Sequence, residues 1–221
     1  MAVVLGADGV SRNRWVVAEW SGADVSWHLV TGAAAVLELA DAVGAQAVAL
    51  DVPIGLPGGG RRPCDEQAYA RLGARRSSVF MTPPRHVLEH LSYGEARASF
   101  PSLTAQSFAL LTRVRDVDEV LRAAGPDVHK RVVECHPEVV FHRLTGDDLA
   151  RKRSAAGVFA RLRALADVRL TGVERAPDEA QLDDALDALA CAWTASRWAR
   201  GAAEVLGGDL DETATPMRIV F

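Results

Sequence analysis

Residues 46–57, reading QAVALDVPIGLP, leave the chain few ways to fold. Ala47, Val48, Ala49 and Leu50 make an apolar run of strand length, and such a run between turn signals predicts a strand covered on both faces of a sheet. That strand ends in a carboxylate. Asp51 is followed by Val52 and Pro53, where the proline biases its predecessor toward extended backbone. Gly55, Pro57 and the glycines at 58–60 then force a loop. An acid at the lip of a buried strand, beside a permissive loop, is well placed for chemistry. The competing reading is a turn residue capped on its own backbone.

Composition narrows the class. A chain of 221 residues can bury a core as one domain without disulfides or a structural metal. No apolar run approaches the roughly 18 residues needed to cross a bilayer, which predicts a soluble protein. The start, Met1 to Val4, lacks the basic region and cleavage site of a secretory signal, so the cytoplasm is the expected compartment. Cys64, Cys135 and Cys191 are odd in number, far apart and outside any C-x-x-C pair, which argues against a disulfide framework and a cysteine zinc site. With a net charge of -4, any contact with nucleic acid must use a local patch.

Residues 3–8, 14–20 and 25–30 read as three strands joined by short turns, hence an antiparallel meander. Asp8 closes the first of these beside Gly9, with a turn role as its alternative. Val36, Leu39, Ala40 and Val43 mark an amphipathic helix leading into the Asp51 strand. A right-handed crossover then sets that strand parallel to the first, with Asp8 and Asp51 at the same edge.

Residues 61–101 hold Arg61, Arg62, Arg71, Arg75, Arg76 and Arg85, with Ser77, Ser78 and Thr82 among them, and a short helix near 65–72. This basic loop suits phosphate contacts; the alternative is a solvated loop whose arginines pair with acids elsewhere. A helix over 103–124 carries Leu110, Val114, Val117 and Leu121 on one stripe. A strand at 131–135 ends at Glu134. The following His136 and Glu138 are either metal ligands or helix-start residues. Arg151, Lys152 and Arg153 open another helix, through Leu165. A last long helix, about 178–200, buries Leu182, Leu186, Leu189 and Trp193, with Asp183, Asp184 and Asp187 along the stripe's edge. Residues 217–221 close the chain as a strand-like tail.

Strand-end acids with a helical pair meet the needs of two hard divalent cations about 3.5 to 4 Å apart, which take carboxylate oxygens and no histidine or cysteine. The order of elements and the placement of acids resemble the RNase H-like fold, where the first strand, the fourth strand and a late helix each supply a carboxylate. The closer resemblance is to domain-of-unknown-function family 429, generally described as predicted RNase H-like nucleases. It rests on Gly6-Ala7-Asp8-Gly9, on the run from Asp51 to Pro57, on Arg62 through Asp65, and on Ser78-Val79-Phe80 with Pro84-Arg85. It continues through Glu134, His136-Pro137-Glu138 and Phe141, through Lys152, Gly157 and Arg161, and through Asp183, Asp184 and Asp187 followed by Ala-Leu-Ala.

The resemblance implies an α/β protein with a mixed five-stranded sheet, an antiparallel meander plus parallel strands, flanked by helices. It implies one domain over 1–221 with a basic loop and helical segment inserted at about 58–128. The implied activity is a Mg²⁺- or Mn²⁺-dependent nuclease or phosphodiesterase. Asp8, Asp51 and Asp187 are the expected ligands, with Asp184 and Glu134 supplying further oxygens. Arg62, Arg75, Arg76, Ser78, Arg85 and Lys152 are the expected contacts to nucleic acid or another phosphodiester. Two alternatives stay open: a non-catalytic module binding nucleic acid or a partner, and an actin-like or sugar-kinase-like ATPase relative. The latter needs a second domain for which this chain has no room.

Overall fold

In the computed structural model, residues 2–11, 13–166 and 171–221 are described. The expected meander is β1 (Val3–Gly9), β2 (Arg14–Ser21) and β3 (Asp24–Thr31), joined in antiparallel register. Helix α1 (Gly32–Ala42) crosses over to β4 (Ala47–Leu50), which pairs parallel to β1. β5 (Val132–Cys135) lies parallel on the far side of β4. The sheet does not stop at five strands. Among the described residues, β6 (Val205–Leu210) and β7 (Pro216–Val220) extend it to seven, in the order β3-β2-β1-β4-β5-β7-β6.

The tail was legible as a strand; β6 was not. Its sequence, VLGGDL, has no apolar alternation, and most of its residues are exposed. Gly207 and Gly208 adopt positive φ where the pairing to β7 shifts register, so the strand carries a bulge that reads in sequence as a loop.

Side chains alternate between two cores, one on each face, as the period of two requires. In β4, Ala47 and Ala49 enter one core while Val48 and Leu50 enter the other. The connection from β4 to β5 holds α2 (Pro63–Arg71), α3 (Tyr93–Ser99) and α4 (Ala105–Ala124), so the segment expected to be loop and helix contains three helices. Beyond β5 come α5 (Pro137–Thr145), α6 (Ala155–Ala166) and α7 (Leu182–Ala199). Helices α1 and α4 supply the second core, while α2, α5 and α7 supply the first. Two predicted stripes hold except at their first position. In α4 the buried position is Leu111, and Leu110 is exposed; in α7 the helix begins at Leu182, which is itself exposed.

Helix α7 lies unusually close to β1. A Cβ at Gly6 would sit 1.9 Å from the Ala192 nitrogen and 2.3 Å from the Ala188 oxygen, so strand and helix backbones touch directly. Ala185, Ala188, Ala192 and Ala195 keep that approach free of bulky side chains and are all buried. Among the described residues no helix is long and apolar enough to cross a membrane.

Candidate metal centre

The β1–β4 register decides where the acids go. Ala7 pairs with Leu50, and the Asp51 N–H donates to the Ala7 oxygen at 2.9 Å. Asp8 and Asp51 therefore leave the sheet side by side, at the C-terminal edge of parallel strands where open α/β sheets form their ligand crevices. Asp187, on the second turn of α7, comes down beside them through the close contact at Gly6. One carboxylate oxygen from each of Asp8, Asp51 and Asp187 lies within 4.8 Å of the others, a group able to hold a metal ion.

Burial and mutual repulsion dominate the electrostatics. Asp8 is held well above the usual carboxylate range by burial first and by Asp51 and Asp187 next, although its Oδ1 accepts the Gly9 N–H at 2.6 Å. Burial, then Asp187, pushes Asp51 up to about 8. Burial raises Asp187 to about 6 against the opposing pull of Lys152, whose Nζ donates to Asp187 Oδ2 at 2.7 Å. Lys152 also approaches Asp183 at 3.6 Å. Burial would raise Asp183, but Arg153 at 3.0 Å and Lys152 outweigh it and hold its carboxyl low. Asp184, half-buried on the cleft wall, is raised by burial and by Asp183.

Asp8 and Asp51 open into a cleft of about 260 Å³ that is also lined by Lys152, Asp184, Ser78, Arg113 and His136, with Asp187 behind them. Arg113 was not anticipated. It reaches the cleft from α4, stacks 5.2 Å from the Trp15 ring and donates to the Val10 oxygen at 2.6 Å. Its place exists because residue 9 is glycine: a Cβ there would lie 2.1 Å from the Arg113 Cζ. His136 lines the cleft with a buried, unpartnered Nδ1, and burial lowers its pKa.

Glu134 lines the same cleft and adds to the repulsion on Asp51, but its carboxylate is held by Arg62. The Glu134 Oε2 accepts the Ile54 N–H and the Arg62 Nη1, both at 2.7 Å, while its Oε1 accepts Arg62 Nη2 at 2.8 Å. Arg62 is 1% exposed and also donates to the Ile54 and Gly55 oxygens and to Asp65. Asp65 in turn accepts the Thr82 N–H. These charges clamp the loop after Asp51. A second clamp, also unanticipated, is Asp211, which accepts the Leu56 N–H at 2.9 Å and Arg85 Nη2 at 2.7 Å.

The other expected phosphate contacts divide. Arg85 also pairs with Asp118 at 2.6 Å, and Arg75 with Glu138 at 2.7 Å, where the fully buried Arg161 joins it. Arg76 is exposed and lies over the Tyr69 ring. Ser78 lines the cleft but spends its hydroxyl hydrogen on the Arg75 oxygen, and Lys152 stands at the three acids. For Arg62, Arg75 and Arg85, the arrangement is the one in which the loop's arginines pair with acids elsewhere.

Fold and site together define a mixed α/β protein with a buried, strand-end carboxylate group suited to a hard divalent cation. The chain matches the family described as Protein of unknown function (DUF429) over residues 6–212, and it belongs to that family. No curated protein and no solved structure matches it.

Proposed function

We propose that the protein is a divalent-metal-dependent nuclease or phosphodiesterase on an RNase H-like arrangement of strands. The observation that carries this reading is the convergence of Asp8, Asp51 and Asp187 from two parallel strand ends and a late helix. The donors are three hard anionic oxygens without imidazole or thiolate, which suits Mg²⁺ or Mn²⁺. Three carboxylates with one ammonium in hydrogen-bond reach are also short of positive charge when ionised, a deficit that a divalent cation would fill. When bound there, such a cation supplies Lewis-acid stabilisation of charge on a phosphoryl oxygen. The chain's own groups do the positioning. Lys152 orients Asp187, the Glu134–Arg62 and Asp211 clamps fix the loop that follows Asp51, and Asp184 adds a further carboxylate to the cleft wall.

The test is hydrolysis of bis(p-nitrophenyl) phosphate with Mg²⁺ or Mn²⁺, together with the melting temperature in each ion. Metal-dependent turnover and stabilisation, both lost in Asp51→Asn, are the expected results. Turnover that survives Asp51→Asn in full would sink the reading.

A second reading rests on Lys152. Its ammonium already neutralises part of the cluster, which suits a non-catalytic binding module. That reading expects no stabilisation by either ion, in wild type or in Lys152→Met.

A further inference from the structure

A second cleft, of about 440 Å³, adjoins the carboxylate cleft and shares the wall formed by Ser78, Val79, Phe80 and Leu110. Its chemistry differs sharply. The first cleft is lined by carboxylates and cations, whereas among the described residues the second is lined by no acid and a single charged side chain, Arg61. The half-buried rings of Phe80 and Phe100 face it, together with the small hydroxyls of the α4 start. Thr82 lines it at 2% exposure, and its buried Oγ1 makes no hydrogen bond within the protein. A buried hydroxyl left unpaired is costly, and a ligand atom that pairs with it recovers that cost.

We propose that this second cleft is a subsite for one uncharged, ring-bearing group of nucleoside size, and that the protein acts on small nucleoside phosphate esters rather than on long duplexes. The proposal rests on the metal-phosphoesterase reading for the phosphate end and on the second cleft for the organic end. Flat rings stack on aromatic side chains in a largely sequence-tolerant way, and an isolated hydroxyl supplies one polar contact. The charge distribution argues the same. A duplex backbone requires a row of free cations, yet Arg62, Arg75 and Arg85 are spent on Glu134, Glu138, Asp118 and Asp211. Lys152 is itself paired with Asp187, which leaves Arg113 and Arg61 as the cations lining the two clefts outside any ion pair among the described residues, enough for one or two phosphates.

Calorimetric titration of the full chain with thymidine 5′-monophosphate, thymidine and inorganic phosphate, each in Mn²⁺, tests this. The nucleotide should bind about tenfold more tightly than inorganic phosphate, the gain expected for one stacked ring. Gln106→Trp, at an exposed position on the rim of the second cleft, should weaken thymidine and its monophosphate by about tenfold by filling the stacking space. Thr82→Val should melt no lower than wild type, since it removes an unpaired hydroxyl, yet bind thymidine about threefold more weakly. Equal affinity for phosphate and nucleotide would overturn the subsite. So would a duplex of about 30 base pairs that binds more tightly than the nucleotide with a log-log salt slope steeper than about -4. The two readings fail separately. Thymidine binding that persists and responds to Gln106→Trp, with no effect of Mn²⁺ on melting, supports the subsite and removes the metal. A Mn²⁺ shift without thymidine binding does the reverse.

Discussion

Asp51 occupies a position where a carboxylate is costly to keep ionised: burial and Asp187 push its pKa up to about 8, and Asp8 beside it is raised as well. A carboxyl whose pKa is raised on folding holds its proton more tightly in the folded state. The metal-free protein therefore keeps that contribution below the unfolded value of 3.8 and loses it as pH rises toward about 8. Melts in EDTA should fall in temperature from about pH 5 to pH 8, and Asp51→Asn should flatten the fall. A metal that binds only the folded state adds about 2.7 kcal/mol at a free concentration one hundred times Kd. In a chain of this size that is roughly 5 to 11 °C, and the gain should be larger at pH 8 than at pH 6 because fewer protons must be displaced. A metal shift that shrinks as pH rises would contradict this assignment of the site.

The three aspartates were legible because each stands at a point that sequence can locate, a strand end or a helix edge beside small residues. The arginines were not. A guanidinium on a long, flexible side chain pairs according to tertiary placement, so the sequence left phosphate contact and pairing with acids equally open for Arg62 and Arg85, and Glu134 and Asp211 decide for pairing.

At the level of elements, the contact between β1 and α7 sets the height of Asp187, and it depends on a missing side chain. Alanine normally gains about 0.5–1 kcal/mol over glycine in a strand interior. Gly6→Ala should instead destabilise by about 1–3 kcal/mol or more, because its Cβ falls 1.9 Å from the Ala192 nitrogen. It should also remove the metal-induced shift without touching a ligand. Urea melts with and without Mn²⁺ check both, and a variant that behaves as wild type would show that the helix does not position the acid. The loop after Asp51 has a parallel test. Arg62→Met leaves Glu134 and Asp65 buried without their counter-charge and should cost about 3–5 kcal/mol in urea melts. Weaker phosphate binding with unchanged stability would instead return Arg62 to the substrate. Periodicity located α4 and α7 but missed the first buried position of the first and the start of the second. Leu110 and Leu111 are adjacent, and only packing against the sheet decides which of them turns inward.

For the whole molecule, the α/β class and the parallel crossover follow from one buried strand and one amphipathic helix. β6 does not, because it takes its place through pairing to β7 rather than through its own pattern. Charge is also a property of the whole. The net charge is -4, and half of the basic loop's arginines, Arg62, Arg75 and Arg85, are neutralised by ion pairs with acids of the chain. Long-range attraction for a polyanion should therefore be small, and binding of single-stranded DNA of about 20 nucleotides should show a log-log salt slope no steeper than about -1.5, the equivalent of two phosphates. Arg75 and Arg76 separate the local from the global effect. Arg76 is exposed, so Arg76→Ala should change that slope by no more than about 0.7 and leave melting unaltered. Arg75→Ala leaves Glu138 to Arg161 alone and should lower the melting temperature with little change in slope. If both variants flattened a steep slope and neither changed stability, the loop would be a phosphate-binding surface after all, and the arginine pairings within the fold would not survive contact with nucleic acid.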